Sequence, residues 1–260
     1  MRRDPDVKGW ALALSWLTVL PVRTDAPAAP VAAAAIRWAP IVGALLGAVA
    51  GGVLLGLGAL GVPGLAAGLL TVGFLAGATR GMHVDGLADT ADGLGCFGPP
   101  ERALAVMRDG GAGPFAVVTL LVALGTQASA LAALAPRGVT ALAAVALACA
   151  TGRAAFAWVC RRGVPAARPG GLGSTVAGSQ PWWMAPAWWI VLAVAGFLGW
   201  GWRGVLAIGV GAVLVVALSW HTARRFGGMT GDVLGAASEV ATTAALVLLA
   251  TGGPTGSAGW

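Results

Sequence analysis

Charge is scarce in this chain. Asp, Glu, Lys and Arg make up 10% of its 260 residues, against 58% for the hydrophobic set. An ordinary soluble domain carries about 25% charged residues. So few charges could not cover a water-soluble globule of this size, and so much apolar matter excludes a disordered chain. Tyrosine is absent and lysine occurs once, as Lys8. The three cysteines, Cys96, Cys149 and Cys160, show neither metal-ligand nor disulfide spacing. The alternation of apolar and polar residues that a membrane β-barrel needs is missing as well. What is plentiful is Gly (42), Trp (12) and long uncharged runs. The class left is all-α: a polytopic helical transmembrane bundle, one integral membrane domain over 1–260.

A bilayer core about 30 Å thick takes roughly 20 apolar residues of helix. Residues 38–79, 110–136, 169–202, 204–223 and 240–260 hold no Asp, Glu, Lys or Arg, and 138–160 holds only Arg153. Gly61-Val62-Pro63-Gly64 divides the first run. About seven spans are expected, at 37–60, 63–79, 113–135, 138–160, 185–202, 204–221 and 236–252. Gly9–Val22 is short for a span and suits an interfacial or re-entrant segment. It also has the length of a signal-peptide core, against which Asp4 and Asp6 argue. Residues 253–260 read as a disordered tail. Trp182-Trp183 and Trp188-Trp189 suit an interfacial aromatic belt.

With these spans, Arg2, Arg3, Lys8, Arg23, Arg37, Arg80, Arg102, Arg108, Arg161, Arg162, Arg168, Arg224 and Arg225 fall on one side. Only Arg137 and Arg203 fall on the other. The cation excess makes the first side cytoplasmic. The ten acids lie there too, or at its membrane boundary. Chemistry is therefore expected to face the cytoplasm. The net charge of +6 fits this orientation and attraction to anionic lipid, and it does not argue for nucleic acid. No internal repeat is evident, which counts against an inverted-repeat transporter.

The densest polar stretch is Arg80-Gly81-Met82-His83-Val84-Asp85-Gly86-Leu87-Ala88-Asp89-Thr90-Ala91-Asp92-Gly93, in a cytoplasmic loop over 80–112. Asp85, Asp89 and Asp92 fall within an arc of about 60° on a helix. Like charges so spaced repel. A hard divalent cation such as Mg²⁺ would compensate them, bridging carboxylates to phosphates. A solvated helix face and a transporter's cation path are the competing readings. His83 lies off the stripe and suits a hydrogen-bonding role as well as catalysis.

A second patch runs from Glu101 to Pro114. Its Arg108-Asp109 pair is a phosphate clamp or a plain ion pair, followed by Gly110, Gly111 and Gly113. A third runs from Gly227 to Glu239, where Asp232 is a helix N-cap or another ligand. Arg153, inside a span, snorkels to the headgroups or serves the site. The basic, Gly-rich stretch Arg161 to Ser174 guides an anionic substrate or merely enforces topology.

These patches, in this order, resemble cobalamin synthase, the adenosylcobinamide-GDP ribazoletransferase family. The resemblance rests on His83-Val84-Asp85-Gly86-Leu87-Ala88-Asp89-Thr90-Ala91-Asp92-Gly93, on Met107-Arg108-Asp109, and on Gly227 to Ala236. It covers about residues 10 to 250. Val84, Gly110, Pro114 and Ala116 depart from the usual pattern, and Thr242 or Thr243 stands where a further acid is common. The resemblance implies that adenosylcobinamide-GDP and α-ribazole, or its 5′-phosphate, are joined with release of GMP, at a Mg²⁺-dependent site in a bacterial inner membrane. It implies Asp85, Asp89 and Asp92 as metal ligands and catalytic groups with His83. Substrate contacts would come from Arg80, Arg108, Asp109, Arg153 and Asp232. A homo-oligomer is compatible with it. The rivals are a CDP-alcohol-type phosphotransferase and a cation-coupled transporter.

Overall fold

The computed structural model describes residues 5–24 and 28–251. Arg2, Arg3, Asp4, Asp25 and the expected tail over 253–260 lie outside them. The described residues form α1 (Pro5–Leu17), α2 (Ala29–Ala59), α3 (Gly64–Ala78), α4 (Met82–Gly95), α5 (Pro100–Val106), α6 (Pro114–Leu134), α7 (Val139–Val159), α8 (Gly171–Val176), α9 (Met184–Trp200), α10 (Trp202–Phe226) and α11 (Gly231–Ala250). Two isolated bridges, Arg161 with Gln180 and Ala166 with Met229, are the only β pairing among them. The chain is a polytopic helical membrane bundle.

Each of the seven expected spans has a helix. Five of these, α2, α6 with its terminal turn, α7, α10 and α11, are long and apolar enough to cross a membrane. The 17-residue α9 is shorter, and the 15-residue α3 reaches span length only with α4, from which it is bent by 94°. Some boundaries differ from expectation for local reasons. α2 starts at Ala29 because Pro30 sits in its first turn, where the missing N–H has no partner to lose. α11 starts at Gly231 because the Thr230 hydroxyl accepts the Val233 N–H at 3.2 Å. Thr230, and not Asp232, is therefore the cap.

Thirty-one residues at about 1.5 Å each make α2 about 46 Å long, more than the bilayer core. The 13-residue α1 packs along its first turns and does not span. Trp10 meets Trp38 edge-on at 5.4 Å, and Arg37 pairs with Asp6 at 2.9 Å.

α7 and α11 form the interior, with 72% and 67% of their most apolar stretches buried, against 33% for α2. Lipid tails are as apolar as leucine, so helices in a bilayer associate through close contact of small residues. Gly43, Gly47 and Gly51 of α2, one turn apart, do this against α7. A Cβ on any of them would stand 2.5–2.6 Å from a backbone atom of Leu142, Val145 or Cys149. This glycine stripe is plain in the sequence but has no meaning there until α7 is known to cover it.

The end of α3 sets the site. Arg80 (φ 56) and Gly81 (φ 71) are consecutive left-handed residues, and they turn the chain so that α4 lies across the rim of the bundle. A left-handed non-glycine costs about 1–2 kcal/mol. The Arg80 guanidinium offsets this by donating to the Ser15 and Trp16 carbonyls at 2.8 and 3.1 Å, which ties the end of α1 to the bend.

Candidate active site

α4 crosses the start of α11 at backbone distance. A Cβ on Gly86 would lie 2.6 Å from the Asp232 carbonyl oxygen, and one on Gly235 would lie 3.0 Å from the His83 carbonyl oxygen. Glycine at both points lets the two helices touch, and that contact brings Asp85 and Asp89 beside Asp232. A cavity of about 530 Å³ opens there. Its walls are Met82 and Asp85 of α4, Arg108 after α5, the Arg168–Ser174 loop and Met229–Asp232. Four chain segments far apart in sequence thus meet at one end of the bundle.

Two carboxylates, Asp85 and Asp232, line the cavity, and Asp89, one turn along α4 from Asp85 and outside the lining, lies close to both. Burial, then the charges of Asp85 and Asp232, raise the Asp89 carboxyl from 3.8 to about 6. Two arginines, Arg108 and Arg168, also line the cavity. Arg108 is exposed, with its Nε donating to the Leu104 carbonyl at 3.3 Å. The Arg168 Nη2 donates to Asp232 Oδ2 at 3.1 Å, while its Nη1 is shut off from solvent with no hydrogen-bond partner among the described residues.

The expected trio of aspartates is only partly assembled. Asp92 is 8% exposed, and its two carboxylate oxygens accept the Gly113 and Ala116 N–H groups at 2.7 and 2.9 Å. It therefore caps α6, whose unpaired N–H groups and positive dipole end attract a carboxylate. Being three residues past Asp89 does not bring it to the cavity, because α6 starts beside it. Among the described residues no three His, Cys, Asp or Glu side chains are placed to hold one metal ion.

Other expected contacts also lie elsewhere. Arg80 is spent on α1, and Asp109 is exposed outside the cavity wall. His83 is 3% exposed, and its Nδ1 lies 3.2 Å from Nη2 of Arg153, itself 3% exposed. Burial first, then Arg153, lower the His83 pKa well below 6.5. A guanidinium only donates, so Nδ1 accepts and the ring proton sits on Nε2. Arg153 neither snorkels nor reaches the cavity. It borders a smaller void of about 10 Å³ with Gln127, Glu239 and Thr242, room for about one water. Glu239 accepts from Gln127 Nε2 at 2.7 Å and is buried two turns into α11, not at the membrane boundary. Nothing in the sequence singles out Gln127, the lone amide in an apolar run, or Arg168, which reads there only as part of a basic loop.

The cobalamin-5-phosphate synthase family profile matches residues 9–250. The chain belongs to that family. It is similar to adenosylcobinamide-GDP ribazoletransferase of a Nocardioides species, 42% identical over 239 residues that cover 92% of this chain and 96% of that one. It is likewise similar to the Brucella canis protein of the same name, 38% identical over 220 residues, 81% of this chain and 83% of that one. No solved structure matches it. Like these relatives it is a transferase of cobalamin synthesis, and the transporter and CDP-alcohol readings fall away.

Proposed function

We propose that this chain is an adenosylcobinamide-GDP ribazoletransferase whose chemistry takes place in the cavity of about 530 Å³. A ribose hydroxyl of α-ribazole, or of its 5′-phosphate, attacks the phosphorus joined to cobinamide. A new O–P bond forms, the bridging P–O bond breaks, and GMP leaves with the bridging oxygen. Catalysis of phosphoryl transfer consists mainly of positioning and charge neutralisation. The observation that carries this reading is the cavity's mixed charge, Asp85 and Asp232 together with Arg108 and Arg168 in one lining, in a chain of this family.

The acidic wall suits Mg²⁺. Its donors are carboxylate oxygens, and Asp89 beside them is raised by burial first and then by the charges of Asp85 and Asp232. Mg²⁺ is commonly bound by one or two carboxylates plus substrate phosphates, so a closed cage of three protein ligands is not required. Asp85 and Asp232 would hold it, and when bound it would neutralise the diphosphate. Arg108 meets phosphate oxygens. An aspartate of this cluster takes the hydroxyl proton. His83 does not act as the base, because Nδ1 is occupied by Arg153 and Nε2 carries the proton.

The cavity faces the cytoplasm of a bacterial inner membrane. Arg80, Arg102, Arg108, Arg161, Arg162, Arg168, Arg224 and Arg225 lie in loops or helix ends on its side, whereas Arg137 and Arg203 lie at the other end. The test is a two-substrate assay on purified protein with Mg²⁺ or a chelator. GMP release that needs adenosylcobinamide-GDP, α-ribazole and Mg²⁺ together is expected. Release independent of the ribazole would refute the transfer, and release unaffected by the chelator would refute the metal.

A further inference from the structure

We infer that Arg168 is a further binding residue for the diphosphate, and that Asp232 competes with that anion for it. The identity of the anion rests on the ribazoletransferase reading; the competition rests on the geometry.

The backbone on both sides of the pair is fixed. The loop carrying Arg168 is laced to the segment before Asp232: the Ala167 N–H donates to the Met229 carbonyl and the Met229 N–H to the Pro165 carbonyl, both at 2.9 Å. Gly173 abuts Gly231, where a Cβ would lie 2.8 Å from the backbone nitrogen. Movement at this wall therefore belongs to side chains.

The ion pair itself is incomplete. Arginine offers five N–H donors in a planar fork, and a settled pair with a carboxylate is commonly two-pronged. Arg168 makes a single 3.1 Å contact to Asp232, and its Nη1 is buried without a partner among the described residues. The two side chains remain 25% and 19% exposed on a cavity wall, which leaves room for another acceptor. Once the side chain turns Nη1 toward the cavity, a diphosphate oxygen supplies the missing acceptor. Among the described residues, the one other cation lining the cavity is Arg108. Two arginines suit a ligand with more than one negative charge better than one does.

Asp232 then has a second role. In the absence of a metal it is the anion that keeps Arg168 in place, beside Asp85 and Asp89, and an arriving diphosphate has to share or displace it. Removing the Asp232 charge and removing the Arg168 charge should thus change anion binding in opposite directions.

Binding of inorganic pyrophosphate to the purified protein, in detergent with a chelator, is the measurement. It needs no turnover. Arg168→Gln should weaken binding at least tenfold. Arg168→Lys should lose less, since it keeps the charge but not the fork. Asp232→Asn should tighten binding severalfold, and the double variant Asp232→Asn/Arg168→Gln should lose that gain. If Asp232→Asn tightens binding equally in both backgrounds, Asp232 acts on the anion by charge alone and the inference is wrong. It is also wrong if both single variants weaken binding alike, as a merely structural strut would, or if neither the wild type nor Asp232→Asn binds. Should Arg168→Gln fail to fold, Arg168→Lys in the same cycle gives the same sign test. GMP release by the wild type is a separate readout. A transferase whose pyrophosphate binding ignores Arg168 keeps the function and loses this inference. A chain that binds through Arg168 but releases no GMP leaves an anion site without the reaction.

Discussion

Two aspartates seven residues apart on one short helix should fail in opposite ways when neutralised. Asp92 receives two N–H groups of α6 at 2.7 and 2.9 Å and is 8% exposed. Hydrogen bonds to a charged group are worth about 1.5–3 kcal/mol each, and capping substitutions about 0.5–2 kcal/mol. Asp92→Ala, which removes both acceptors, should therefore cost about 2–4 kcal/mol. For a chain of this size that lowers the thermal midpoint by roughly 5–12 °C. Asp92→Asn keeps one acceptor oxygen and should cost about half as much. Asp85 is exposed on the cavity and contributes to raising Asp89. Asp85→Asn relieves that repulsion, so the midpoint should hold or rise while turnover falls by about 10²-fold or more, the scale of losing one preorganised electrostatic group. The assay is intrinsic tryptophan fluorescence against temperature in detergent, paired with GMP release. If Asp92→Asn keeps its midpoint and loses turnover as Asp85→Asn does, Asp92 belongs with the reacting groups and the capping role is refuted.

Gly86→Ala should leave the protein in the membrane but cut turnover about 10²-fold, because a methyl 2.6 Å from the Asp232 carbonyl must push α4 off α11. Unchanged turnover would show that the α4–α11 contact does not set the cavity. In metal-free protein, the raised Asp89 makes the folded state hold a proton that the unfolded chain releases. Stability should be greatest near pH 4 and fall as pH rises to about 6, then level off. Asp89→Asn should flatten that decline in a series of thermal midpoints against pH, and added Mg²⁺ should raise the upper plateau; a decline that persists in the variant assigns it to other groups. A cysteine placed at Glu101, with Cys96 replaced, should react with a membrane-impermeant reagent in inverted vesicles and not in intact cells. Labelling from outside would reverse the topology.

The amino-acid sequence by itself determined the class of the molecule, the order of its apolar helices and the side on which its charges gather. Bilayer thickness and backbone hydrogen bonding leave a chain of this composition no other regular solution. It also pointed to segments that meet at one cavity, since Asp85, Arg108 and Asp232 are ionisable groups at the ends of uncharged runs. Helical spacing alone put Asp92 with Asp85 and Asp89; only the tertiary structure placed the start of α6 next to it and gave its oxygens to two N–H groups. The same is true of Arg153 and His83, hidden together between α7 and α4, and of Arg168, joined to Asp232 across 64 residues. Periodicity records which residues share a face of one helix. What that face meets depends on the neighbouring helix, and here the choice of neighbour was made by bare glycines at the crossings, Gly43, Gly47, Gly86 and Gly235, where two backbones could come together.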